Sequence, residues 1–222
     1  MHRKIIIFGI IILVASFIIK SVVGGLRNIE VDDFHPSATI FLIDASASNQ
    51  NSLWKQKKFI TQMCSVLDPE DQIKILKVSE DAYIIYEGGP HNGTTINKAM
   101  DAFTQLNNDD FGTAYGSAIK KAMGHALNMQ KEGYDPAIVV MGDLENEGAP
   151  EGQINWETLP KNVERVKKYS PNLSMTFLFA HPSKLDFVKE TLTPVLGESK
   201  LIVAPEENAD KTIRKFMKAI GR

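Results

Sequence analysis

Short apolar runs alternate with amphipathic stretches along most of the chain. ATIFLID (38–44) is a continuous apolar run ending in Asp44, the pattern of a strand buried on both faces. Residues 51–67 then carry Phe59, Ile60, Met63, Val66 and Leu67 at helical spacing, with Lys55, Lys57 and Lys58 on the other side. IKILKV (73–78) and AYIIYE (82–87) flank Ser79-Glu80-Asp81, which predicts a hairpin. Ile96, Ala99, Met100 and Phe103 predict a helix begun by Thr94 or Thr95. A further helix is predicted from about Tyr115 to Met129, with Ile119, Met123 and Leu127 on one face. AIVVM (137–141), LSMTFLF (173–179) and LIVA (201–204) read as strands. Leu159–Tyr169, the stretch around Leu185, Val188 and Leu192, and the stretch Ile213, Phe216, Met217, Ile220 read as helices. Continuously apolar strands alternating with helices predict an α/β fold. Its sheet is doubly wound and mostly parallel, with one antiparallel edge strand and helices on both faces.

The N-terminus breaks this alternation. Residues 5–19 (IIIFGIIILVASFII) hold no charge. A helix from Ile5 to Leu26 would reach roughly 33 Å, enough for a bilayer core. Lys20 can snorkel from its end of that span. Residues 1–27 are therefore expected to be a signal-anchor or transmembrane segment, and 28–37 (NIEVDDFHPS) a linker before a domain over 38–222. A cleaved signal peptide is the competing reading, but no A-x-A-like site follows Ile19. Either way the domain is expected beyond the membrane.

Charge agrees with two parts in different surroundings. The 222 residues hold 25 Lys+Arg against 27 Asp+Glu, a net charge of −2. Residues 1–27 carry Arg3, Lys4, Lys20, Arg27 and no acid, so the remainder is acidic. An acidic body argues against a nucleic-acid partner. The single cysteine, Cys64, excludes an internal disulfide and any zinc site built from several thiolates. It falls on the apolar side of its helix and is expected to be a buried thiol. The five histidines show no metal-ligand spacing. Trp54 and Trp156 read as packing residues.

Oxygen ligands gather where strands end or helices begin. Asp44-Ala45-Ser46-Ala47-Ser48 follows the first strand, Gly112-Thr113-Ala114-Tyr115-Gly116 precedes a helix, and Gly142-Asp143 follows AIVVM. In sheets of this kind ligands bind beyond the carboxyl ends of the strands. Carboxylates and hydroxyls suit a hard cation, Mg²⁺ above all. Each residue also has a plain structural role open to it: Asp44 and Asp143 as turn or cap carboxylates, Thr113 as a helix N-cap. Glu145, Glu147 and Asn108-Asp109-Asp110 read as loop charges.

These three loops resemble the metal-ion-dependent adhesion site of the von Willebrand factor type A domain family. The likeness covers nearly all of 38–220, including the order of elements. It implies Ser46, Ser48 and Thr113 as inner metal ligands, with Asp44 and Asp143 behind them, acting through water. A sixth position is left for an acidic group on a protein partner. The sequence departs from the family at Ala114, often Asp, and at Met141-Gly142-Asp143-Leu144, more commonly T-D-G. The resemblance implies a non-enzymatic, membrane-tethered domain for adhesion or complex assembly that takes Mg²⁺, with Mn²⁺ or Ca²⁺ as substitutes. Two alternatives stand beside it. One is a metal-free scaffold of the same fold. The other is an Mg²⁺-dependent phosphatase of the haloacid dehalogenase type, whose Asp-x-Asp motif would here read Asp-x-Ser. No P-loop, dinucleotide fingerprint or G-x-S-x-G is present. Asn92-Gly93-Thr94 and Asn172-Leu173-Ser174 match the N-glycosylation pattern.

Overall fold

A computed structural model describes residues 35–46, 48–103, 112–145, 149–205 and 209–222. The predicted membrane segment, residues 28–34 of the linker, Asn108-Asp109-Asp110 and Glu147 lie outside the described residues. Among the described residues no helix is long and apolar enough to cross a membrane.

The strands are β1 (Ser37–Asp44), β2 (Gln72–Val78), β3 (Ala82–Gly88), β4 (Asp135–Met141), β5 (Ser174–Leu178) and β6 (Leu201–Ala204). They form one sheet in the order β3-β2-β1-β4-β5-β6, parallel throughout except for the antiparallel β2–β3 hairpin. The helices are α1 (Gln50–Cys64), α2 (Gly93–Phe103), α3 (Tyr115–Lys131), α4 (Leu159–Lys167), α5 (Pro182–Leu196) and α6 (Ala209–Ala219).

The apolar continuity of the strands follows from cover on both faces. Along β1, Ala38, Ile40 and Leu42 enter the core shared with α3, α4 and α5. Phe41 and Ile43 enter the core beneath α1, α2 and α6. Strand order reverses between β1 and β4. The crevice beyond their carboxyl ends is thus the topological switch point, the usual ligand position in such sheets. Asp44 closes β1, and Gly142-Asp143 directly follows β4.

Some boundaries differ from expectation. Helix α2 starts at Gly93, before either threonine, with Ile96 N–H bonded to the Asn92 carbonyl. Helix α1 stops at Cys64, so Val66 falls in the following turn and is exposed. Trp54 is 59% exposed on the outer side of α1, so it is not a packing residue. Trp156 does pack, edge-on to Phe187 with ring centroids 5.3 Å apart. Cys64 is buried, and burial pushes its thiol pKa up to about 12.

Candidate metal centre at the switch point

Asp44 is fully buried at the end of β1. Its Oδ1 accepts from the Ser46 N–H at 2.9 Å. Its Oδ2 accepts from Asn49 Nδ2 at 2.6 Å and from the Tyr115 hydroxyl. Its backbone is held as tightly. Asp44 N–H donates to Gln56 Oε1, and Gln56 Nε2 donates back to the Asp44 carbonyl, both at 3.0 Å. One turn of α1 therefore grips the end of β1, fixing where the next loop starts.

From there a polar chain runs outward. Ser46 Oγ lies 3.1 Å from Ser48 Oγ, and Ser48 Oγ donates to Asp143 Oδ2 at 3.3 Å. Asp143 Oδ1 accepts from the Glu145 N–H at 2.7 Å. Ser46 is buried, Asp143 half-buried and Ser48 exposed, so the chain leads from the core to the surface. The structure thus links four of the five expected residues. Thr113, just ahead of α3, is bonded to none of them. Its hydroxyl is buried and has no hydrogen-bond partner among the described residues. It is not an N-cap, since that position of α3 is Ala114.

Gly142 allows the close approach of the loops. Its φ is +131°, and a Cβ there would lie 1.9 Å from the Tyr115 hydroxyl and 2.7 Å from Asp44 Cβ. Gly116 packs equally close, a Cβ there falling 2.0 Å from the Gln153 carbonyl oxygen. The first contact sets α3 and the post-β4 loop against Asp44, and the second sets α3 against the Gly152-Gln153 backbone.

Burial raises the Asp44 carboxyl from 3.8 to about 6. The hydrogen bonds from Tyr115 and Ser46 hold it back, and the neighbouring Asp143 charge adds to the rise. The Tyr115 phenol is pushed well above its ordinary value by burial and then by the Asp44 charge. Neither aspartate is ion-paired among the described residues. Glu145 points elsewhere, to Lys184. Among the described residues no three His, Cys, Asp or Glu gather as a metal cluster. The donor set is instead two carboxylates and three hydroxyls, a hard all-oxygen set.

Three residues here escaped the sequence reading: Tyr115, Asn49 and Gln56. Tyr115 did leave a signal. It falls in register with Ala118, Ile119 and Ala122 on the inner face of α3, and a buried phenol needs a partner.

Residues 39–146 match the family model of the von Willebrand factor type A domain. Solved structures agree over a longer span. The SpRpn10 VWA domain is 16% identical, with 84% of this chain and 98% of that chain covered and a TM-score of 0.59. An aerotolerance-related membrane protein from Bacteroides fragilis is 16% identical, covering 83% and 98%, with a TM-score of 0.58. The fold is that of a von Willebrand factor type A domain. Proximal thread matrix protein 1 from the mussel byssus, solved with a zinc-occupied adhesion-site motif, is 13% identical; 84% of this chain covers 47% of that one, with a TM-score of 0.53. At such identities the likeness concerns the type A fold alone. No curated protein matches the chain in sequence. The haloacid dehalogenase alternative finds no support among these relatives. The geometry also argues against it: Asp44 is buried with both oxygens already accepting from protein donors, a poor state for a nucleophile.

Proposed function

We propose that this type A domain binds a divalent cation at Ser46, Ser48 and Thr113, with Asp44 and Asp143 behind them, and through it a carboxylate on a protein partner. One observation carries the reading: among the described residues the buried Thr113 hydroxyl has no hydrogen-bond partner, at the same end of the sheet as two aspartates that form no ion pair with a basic side chain. An unpartnered buried hydroxyl costs about 1–3 kcal/mol. A metal ligand role removes that cost, and a cation offsets the repulsion between the two acids. Asp44, engaged on both oxygens, suits the role of fixing the Ser46 loop better than that of direct ligand. Mg²⁺ held by neutral hydroxyls keeps a strong demand for one more anionic oxygen, which a partner's Asp or Glu supplies. The chemistry is binding, with no turnover. Residues 1–27 tether the domain to a membrane, on its far side.

Calorimetry with Mg²⁺ and Mn²⁺ tests the ion, and affinity capture with and without chelator tests the bridge. Heat of binding should appear for wild type and fall at least about tenfold in affinity for Ser46→Ala. Equal capture of partners in excess chelator contradicts the proposal.

A metal-free scaffold is the second reading, and Tyr115 favours it. Its hydroxyl, with Asn49, already satisfies Asp44 from within the protein. Absence of both heat and thermal shift with either ion decides for the scaffold.

A further inference from the structure

We propose that the open edge of β6 is a docking groove for an extended acidic peptide, taken up as a seventh strand of the sheet. Among the described residues β6 ends the sheet on one side. Met175 N–H donates to the Lys200 carbonyl at 2.8 Å, and the pairing continues from Leu201 to Ala204. In a parallel ladder alternate residues turn both backbone groups to one neighbour. This register turns Ile202 toward β5 and Val203 away from it. The Leu201 N–H is taken by the Gly197 carbonyl at 3.1 Å. That leaves the Leu201 carbonyl and both backbone groups of Val203 on the open side, with no backbone partner among the described residues.

A cavity of about 420 Å³ runs along this edge. Its walls are helices from opposite faces of the sheet. α5 contributes Lys189 and Thr193, one turn apart, and α6 contributes Lys215 and Lys218. Glu198 is the one carboxylate in the lining. None of the three lysines is ion-paired among the described residues. Charge therefore selects an acidic occupant, and the free backbone groups select an extended one. An added strand projects successive side chains to opposite faces. Adjacent acidic residues would meet Lys189 on one side and Lys215 and Lys218 on the other.

Lysines often keep an edge strand from pairing, but they do so from the strand itself. Here the strand reads Leu-Ile-Val-Ala and the lysines stand on the flanking helices. A second copy of this chain is a poor occupant, because pairing two β6 edges sets the two lysine sets against each other.

The test uses the full chain in detergent and a fluorescein-labelled peptide, Thr-Glu-Glu-Val-Glu-Glu-Thr, followed by anisotropy. Saturable binding is expected, weakened at least about tenfold by combined Lys189→Glu, Lys215→Glu and Lys218→Glu. The same peptide N-methylated on alternate amides should also bind about tenfold more weakly, and Val203 N–H should gain exchange protection from the unmodified peptide. Chelator should change none of this, so failure here is separate from failure at the metal centre. Equal binding of the N-methylated peptide overturns the proposal, and that arm does not depend on any variant folding. So does absence of peptide binding, or equal binding by the charge-reversed protein. Lysine-dependent binding of phosphatidylserine vesicles or duplex DNA without peptide binding, or lysine-sensitive self-association in ultracentrifugation, assigns the groove to another occupant and also overturns it.

Discussion

Thr113 and Tyr115 stand two positions apart and make opposite predictions. Thr113 carries a buried hydroxyl with no partner among the described residues. Thr113→Val removes that hydroxyl at nearly equal shape. Stability of the chelated protein should hold or rise by about 1 kcal/mol, while Mg²⁺ affinity falls. Urea unfolding in chelator, paired with calorimetry, reads both; a destabilised variant with unchanged Mg²⁺ affinity contradicts the assigned role. Tyr115 donates to a fully buried carboxylate. Tyr115→Phe should cost about 2 kcal/mol in the same unfolding assay, since hydrogen bonds to charged groups are the stronger kind. Asp44 itself makes stability depend on pH. Its pKa is about 6 in the folded protein, above its ordinary 3.8. Between those values the folded state holds the proton more tightly than the unfolded chain does. Its contribution is therefore full below about pH 4 and is lost as pH rises through about 6. In chelator, the melting temperature of wild type should fall from about pH 5 to about pH 7. Asp44→Asn should flatten that fall; an unchanged slope in the variant assigns it to other groups.

Between elements, the join of α1 to β1 rests on Gln56. It is fully buried, and its amide both accepts from the Asp44 N–H and donates to the Asp44 carbonyl. The β1–β4 ladder has ended one pair earlier, at Ile43 and Met141. A side chain thus takes the place of a ladder partner. Gln56→Leu keeps the burial but leaves two backbone groups unpaired, and should cost about 3 kcal/mol. Hydrogen exchange should show the loss locally, as faster exchange at the Asp44 N–H; a purely global loss points to overpacking instead. Gln56 also shows where sequence reading stopped. Hydrophobic period predicted each strand and α-helix within a few residues, because continuous and 3.6-residue patterns directly reflect burial on two faces or one; the 3-10 turn at Pro150–Gly152, too short for a period, was not predicted. The D-x-S-x-S loop was legible because its residues are adjacent in sequence. Bonds from Gln56 and Tyr115 to Asp44 span 12 and 71 positions. No local pattern encodes them; they exist only once β1, α1 and α3 are packed. The same holds for the β6 groove, whose lysines come from two helices on opposite faces of the sheet.

At the scale of the whole domain, one side chain ties distant parts of the chain together. Arg222 sets both terminal nitrogens of its guanidinium, Nη1 and Nη2, on Asp71, at 2.7 Å and 2.6 Å, and also reaches Asp68. Asp71 is fully buried and accepts in turn from the Ser37 N–H at 2.7 Å, the Ser37 hydroxyl at 3.0 Å and the Asp68 N–H at 2.8 Å. The segment after α6, the turn before β2 and the first residue of β1 therefore meet at one carboxylate. That carboxylate lies at the amino-terminal end of the parallel strands, opposite the candidate metal centre. Arg222→Ala leaves a buried charge without its cation, the case in which breaking an ion pair is most destabilising. The cost should be about 3 kcal/mol, lowering the melting temperature on the order of 10 °C for a domain of this size. Distance from the switch point makes the prediction sharper: Mg²⁺ affinity, measured by calorimetry well below the melting temperature, should equal that of wild type. Loss of metal binding in step with the lost stability would mean that the two ends of the sheet are coupled, and that Arg222 does more than fasten the fold.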